Sequence, residues 1–348
     1  MRIRFLTSTP LDIRRGSGTY VGIHVLASAL RELGHAVEIE SSRVRLPNYT
    51  LERLAFNRGL KPSRDVDLTV GFDMDGYRIA AGEPSHVASL KGVIADEVRL
   101  ERGAARLTMS LQARFERLHA RRAAHVIATS AYSAAQAAEL YGLRETPVVV
   151  PELIALGEWK RLLNAHAAAD ASRFTVLFVG RLYRRKRVDV LLRAAAQLRH
   201  AIPELEVRIV GGGPRHESLR RLSRNLKLDG VVVWLNDISR PALAAEYNRA
   251  DVFCLPSVQE GFGIVLLEAM AAGKAIAASR AASIPEVAPH AELFEPDDAG
   301  ALAEAVTLLH RNPARRAAMG AEGARRVELF DAPRVAALFL EACAGPAR

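Results

Sequence analysis

The stretch "FTVLFVGRLYRRKRVDVLL" (Phe174 to Leu192) changes character halfway along: an unbroken apolar and β-branched run, a glycine, a basic segment, then apolar residues at helical spacing. A strand with no polar alternation is buried on both faces, as strands of a parallel sheet are. The chain opens in the same way. "IRFLTST" (Ile3 to Thr9) leads through the glycine-bearing loop "RRGSGTY" into the helical stretch "VGIHVLASALREL", a stop at Gly34 and a second strand "AVEIE". Working outward, apolar runs recur at "DLTVGF", "HVASLKG", "HVIATS" and "TPVVVP" before Phe174, and at "EVRIVGGGP", "VVVWLN", "DVFCLPS" and "KAIAASR" after it, with helical stretches between them. Strand and helix alternating twice over predict an α/β protein of two doubly wound, Rossmann-like parallel-sheet domains. The expected division is 1–157 and 158–331, the junction running through the Ala-rich stretch from Glu158 to Ser172.

A chain of 348 residues, 49% hydrophobic and 25% charged, has the length for about two domains. No apolar run approaches the roughly 20 residues of a membrane span, and "MRIRFLTSTP" is too short and too charged for a secretory signal, so a cytoplasmic location is expected. Two cysteines, Cys254 and Cys343, are too few for a disulfide framework. The net charge of +9 favours anionic partners: nucleic acid, phosphorylated metabolites or an acidic membrane.

In open parallel sheets the ligand crevice lies at the carboxyl ends of the strands, and two such domains would make it an interdomain cleft. The chemistry-bearing residues cluster in those loops. "GSG" (Gly16 to Gly18) before a helix has two open readings, a backbone approach to a phosphate or sugar and a flexible turn. It is not a dinucleotide fingerprint, and no Walker lysine is present, which disfavours dehydrogenases and P-loop nucleotidases. In "GRLYRRK", Arg181 follows its strand directly and Lys186 lies near a helix start, so both cations can converge on one anion.

"QEGFGIVLLEAMAAG" (Gln259 to Gly273) raises a sharper question, because Glu268 sits inside an apolar helical pattern. An ionised carboxylate there is costly unless hydrogen-bonded, and a ribose diol offers two hydroxyl donors. Gly261 and Gly263 free the backbone to approach a ligand. The N–H groups of Phe262, Gly263 and Ile264 open the helix toward a diphosphate or polar sugar, and Glu260 precedes them.

These stretches, with "RIVGGGP", "EYNRADVFCLPSVQEGFGIVLLEAMAAGKAIAAS" and "IPEVAPHAELFEPDD", resemble the family 4 (group 1) glycosyltransferases. The second half is similar nearly end to end. The first half is similar more loosely, through "GSGTYVGIHVLASALRELGHAVEI" and "ATSAYSAAQAAELYG". The resemblance implies the GT-B fold and a retaining sugar transfer from a nucleoside-diphosphate sugar to an acceptor, without a cofactor or metal. It implies that Arg181 and Lys186 clamp the diphosphate, that Glu268 binds the ribose and Glu260 the transferred sugar, and that the segment around Ile238 holds the base. Gly16 and Gly18 would approach from the first domain, onto which a C-terminal helix within 332–348 would return. The front-face route proposed for this family, with the leaving phosphate helping to deprotonate the acceptor, would follow. Two departures stand out. Lys91 occupies a position where many relatives have a histidine, with a sugar hydroxyl, an acidic group or solvent as its open partners. Arg187 stands where relatives often have glycine, adding charge near the diphosphate.

Other readings compete. "FDMDG" places Asp73 and Asp75 in a D-x-D, a metal-binding pattern of the other large glycosyltransferase fold, but away from the phosphate-binding loops; it reads as a polar loop. The ten histidines show no ligand spacing, so no zinc site is expected. Arginines 102, 106, 114, 117, 121 and 122 form a basic helical stripe that suits docking on anionic lipid and a lipid-linked acceptor. Without an aromatic platform it does not suit nucleic acid. The acceptor class stays open among carbohydrate, lipid-linked and small-molecule hydroxyls. The alternatives to transfer are a two-Rossmann sugar-nucleotide epimerase, which needs an acid/base pair and no acceptor, and a basic nucleotide- or membrane-binding module without transferase activity.

Overall fold

The computed structural model describes residues 1–9, 18–42, 46, 48–63, 65–165 and 172–344. The chain divides into two units, Met1–Leu153 with Ala332–Arg348, and Ile154–Asp331. The junction thus falls slightly before Glu158, for a packing reason: Leu156–Asn164, read from the sequence as the start of a linker, is a helix whose Trp159 is fully buried in the core of the second unit.

The first unit carries strands β1 (Arg2–Thr7), β2 (Ala36–Ser41), β3 (Leu68–Phe72), β4 (His86–Leu90), β5 (His125–Ala128) and β6 (Val148–Val149). They form one sheet in the order β2-β1-β3-β4-β5-β6, every pairing parallel. The helix Ala332–Ala344 closes this unit. Its Val335, Ala336 and Phe339 share a buried cluster with Ile23, Leu26 and Leu30 of the helix Gly18–Glu32 and with Phe5 of β1. Phe339 meets Phe5 edge-on, ring centres 6.2 Å apart.

The second unit carries β7 (Phe174–Val179), β8 (Leu205–Val210), β9 (Val232–Leu235), β10 (Val252–Leu255), β11 (Ala275–Ser279) and β12 (Glu292–Phe294). The order is β12-β11-β10-β7-β8-β9, again all parallel. Every residue of β7, β10 and β11 is buried, which is why they read as continuous apolar runs. The chain winds from β7 out to β9, then crosses back to start again at β10 on the other side of β7. The β7/β10 boundary is therefore the topological switch point, where loops leaving adjacent strands diverge and open a crevice.

Phe339→Ala removes a fully buried ring from the helix pair of the first unit. It is expected to cost about 3–5 kcal/mol, read as a lowered midpoint in chemical denaturation followed by circular dichroism.

Candidate active site at the edge of the second sheet

Four loops leave the carboxyl ends of β7, β8, β9 and β10. The first two are locked together by glycine. Gly211 has φ +116°, and a Cβ there would sit 2.4 Å from the Gly180 carbonyl oxygen, so only glycine lets the β8 loop lie on the β7 loop. Leu182 N–H donates to the Gly212 carbonyl at 2.9 Å, and Arg215 N–H to the Leu182 carbonyl at 3.1 Å. The β7 loop continues through a short 3-10 turn, Arg184–Lys186, to Arg187 in the left-handed region (φ +47°, ψ +39°) at the start of the helix Val188–Ala201. That conformation favours glycine. Here the arginine is held by Asp297 at 2.5 Å and Asp189 at 3.4 Å, so its charge is largely met within the protein.

Lys186 and Glu260, read separately from the sequence, meet across the switch point. Lys186 Nζ donates to Glu260 Oε1 at 2.5 Å. Arg185 lies 3.6 Å from the other carboxylate oxygen and donates to the Gln259 carbonyl at 3.2 Å. Burial of Glu260, 4% exposed, would raise its carboxyl, but Lys186 and Arg185 outweigh it and hold the group below the ordinary carboxylate value. Ser283 Oγ fixes the Glu260 backbone by donating to its carbonyl at 3.0 Å. Arg181 is partly buried, with its guanidinium 6.0 Å from the Tyr183 ring centre, and makes no ion pair among the described residues. Two cations, Lys186 and Arg185, thus flank the Glu260 carboxylate, and Arg181 stands on the same loop.

The β10 loop ends at Gly263 (φ +89°), where the helix Ile264–Ala271 begins. Phe262 turns inward onto Phe330, ring centres 5.5 Å apart, which pins Gly261 to Ile264 against the core. Two turns of apolar residues then surround Glu268. Burial pushes its carboxyl above the ordinary value, with Tyr247 and Arg240 pulling partly against that. The Tyr247 hydroxyl reaches Glu268 Oε2 at 3.0 Å and the Val265 carbonyl at 3.2 Å. Trp159 Nε1–H donates to the Glu268 carbonyl at 3.2 Å, packs edge-on against Tyr247, and has the Arg240 guanidinium 5.3 Å from its ring centre. Tyr247 and Trp159 were missed in the sequence. Tyr247 lies in the quoted stretch "EYNRAD", but no spacing rule links it to a glutamate a helix and a strand away. In the β9 loop, Ile238 packs against the core just before Ser239, which caps the helix Arg240–Arg249.

In the first unit, Gly16 lies outside the described residues, and Gly18 is the first residue of the helix Gly18–Glu32. Lys91, at the carboxyl end of β4, is buried and paired with Glu152 at 3.1 Å, with the Phe72 ring centre 5.5 Å from its Nζ. It does not face solvent. The D-x-D is internal scaffolding. Asp75 is fully buried and accepts from Ser8 N–H and Oγ (2.7 Å each) and Asn57 Nδ2 (2.9 Å), and Asp73 accepts from Lys91 N–H at 2.9 Å. Arg53 lies 3.6 Å from Asp75 and 3.9 Å from Asp73. Among the described residues no group of three or more His, Cys, Asp or Glu is arranged to hold a metal ion. No described helix is long and apolar enough to cross a membrane.

Residues 162–326 match the family model of glycosyl transferases group 1. D-inositol 3-phosphate glycosyltransferase of Pseudarthrobacter chlorophenolicus is 33% identical over 231 residues, 63% of this chain and 55% of that protein. The GDP-mannose-dependent alpha-(1-6)-phosphatidylinositol monomannoside mannosyltransferase of Mycolicibacterium smegmatis is 37% identical over 161 residues, 43% of this chain and 42% of that protein. The chain spans about half the length of these curated relatives. Among solved structures, sucrose-phosphate synthase from Thermosynechococcus elongatus aligns with TM-score 0.80 at 20% identity over 98% of each chain. WaaG, involved in lipopolysaccharide biosynthesis, aligns with TM-score 0.75 at 18% identity over 99% of this chain and all of its own. HepE of Anabaena, solved with UDP-glucose, aligns with TM-score 0.75 at 18% identity over 99% of each chain. At such identities the structural likeness speaks for the fold, which is GT-B. Residues 162–326, which lie within the unit Ile154–Asp331, form a group 1 glycosyl transferase domain.

Proposed function

We propose that the chain is a retaining, metal-independent glycosyltransferase that moves a sugar from a nucleoside-diphosphate sugar to the hydroxyl of a carbohydrate, lipid-linked or small-molecule acceptor in glycan, glycolipid or polysaccharide biosynthesis. The observation that carries this reading is the meeting of Lys186, Arg185 and Glu260 at the β7/β10 switch point, with Glu268 one helix turn beyond the Gly263 helix start. Breaking an anomeric C–O bond leaves a nucleoside diphosphate with growing negative charge. Arg181 and Lys186 would meet that charge as it develops, together with the N–H groups at Gly263 and Ile264. Protein cations would then do what a bridging metal does in other transferases. Glu268 would take the ribose diol, Ile238 and its neighbours the base, and Glu260 the transferred sugar.

A second reading concerns where the enzyme works. On the helix Gly103–Arg122, Leu107 is 74% exposed and Leu111 41%, beside exposed Arg102, Arg106 and Arg114. Bare leucines among arginines fit the interface of an anionic bilayer. We place the enzyme on the inner, cytoplasmic face of such a membrane.

Thermal shift with UDP, GDP, ADP and CMP tests the donor site. One diphosphate is expected to raise the melting temperature of the wild type, and Lys186→Ala and Glu268→Ala to weaken its binding by about ten- to a hundredfold each, the size of a lost hydrogen bond to a charged group. Stabilisation that survives both substitutions overturns the assignment. Without nucleotide, Glu268→Gln is expected to melt above wild type at neutral pH. A carboxyl raised on folding favours its protonated form, so the ionised group costs stability above its unfolded pKa. That gain should vanish as pH falls below the ordinary value of 4.5. For the membrane reading, paired Leu107→Glu and Leu111→Glu should cut co-sedimentation with phosphatidylglycerol vesicles by about tenfold or more; unchanged binding refutes it.

A further inference from the structure

The ion pair at the candidate donor site engages the lysine that a diphosphate would need. Lys186 Nζ lies 2.5 Å from Glu260 Oε1, both side chains are largely buried, and a diphosphate held by Lys186 would compete with that carboxylate for the ammonium group. Glu260 cannot follow Lys186 away. Its backbone is held by Ser283, its neighbour Phe262 is packed on Phe330, and Arg185 stays 3.6 Å from its second oxygen. Lys186, at the end of a short 3-10 turn, carries four rotatable side-chain bonds and can swing.

We propose that Lys186 exchanges partners during donor binding: Glu260 holds it in the ligand-free protein, and the donor's diphosphate takes it over and frees the Glu260 carboxylate to accept hydrogen bonds from the transferred sugar. This rests on the donor-site reading above and adds a coupling to it. A diphosphate carries more charge than a carboxylate and wins the lysine. The carboxylate it displaces stays buried with Arg185 as its remaining strong partner, and a buried charge that loses a partner is unfavourable. A sugar nucleotide supplies replacement donors through its hydroxyls, and a bare nucleoside diphosphate does not. The exchange therefore biases the site toward the intact donor and against the spent nucleotide, which favours release of product. Glu260 acts in this scheme as a specificity-determining residue.

Calorimetric titration of the full chain with UDP and UDP-glucose, GDP and GDP-mannose, and ADP and ADP-glucose tests it on wild type, Glu260→Gln and Glu260→Asp. Glutamine keeps the shape and frees the lysine. Glu260→Gln is expected to bind the free diphosphate about five- to tenfold tighter than wild type, and to lose most of the wild-type preference for the sugar nucleotide. Glu260→Asp shortens the reach and is expected to shift both quantities the same way by less, which keeps the test open if the glutamine variant does not fold. Wild type that binds, with neither variant gaining diphosphate affinity, overturns the exchange and leaves the donor site standing. No binding by any of the three proteins overturns both.

Discussion

A parallel strand buried on both faces can present only its ends to water, and this constraint decides where chemistry can happen in this protein. In the second unit β7 is flanked by β8 on one side and β10 on the other, so the loops leaving β7 and β10 part company and open a gap at their carboxyl ends. Arg181, Arg185 and Lys186 enter that gap from one strand, and Glu260, Gly261 and Gly263 from the other. Neither loop makes a site alone. The β8 loop, laid on the β7 loop at Gly211, fixes the height of the basic residues.

The fold was legible because its determinants are local and repeated. Continuous apolar runs such as "FTVLFV" and "DVFCLP" are what two-sided burial demands, and the glycines at 34, 180 and 263 punctuate them where φ turns positive. The sheet order was not legible, since nothing in β10 says that it pairs with β7 rather than β9. The candidate site was half legible. Arg181, Lys186, Glu260 and Glu268 stand out as charge in apolar or glycine-rich settings. What holds them did not: the Tyr247 hydroxyl on Glu268, the Trp159 N–H on its carbonyl and the Ser283 brace under Glu260 are long-range contacts that depend on packing. The helix Leu156–Asn164 was obscured for a similar reason. It lies beside an Ala-rich stretch and declares itself only through Trp159, which the core needs.

The first unit solves a different problem. It groups Arg53, Asp73 and Asp75, with Ser8 and Asn57 donating to Asp75 and the Lys91 N–H to Asp73. The carboxylates that resemble a metal motif in sequence thus serve as internal cross-links between Arg53 and Asn57 of the helix Tyr49–Gly59 and the ends of β1 and β3. Lys91 and Glu152 form a second such link, between the end of β4 and the segment after β6. Local sequence patterns do not distinguish a carboxylate turned outward for a ligand from one turned inward for an arginine.

Arg187 joins backbone geometry to local charge. Its left-handed conformation costs a non-glycine residue roughly 1 kcal/mol or more, and its guanidinium offsets that by binding Asp189 and Asp297. A glycine at this position would relax the turn and at the same time leave two carboxylates uncovered beside the basic loop. The field in which the neighbouring lysine operates is therefore set partly by a residue whose own charge is met by two carboxylates, and conformational ease and electrostatic strength at this turn cannot be improved together by one substitution.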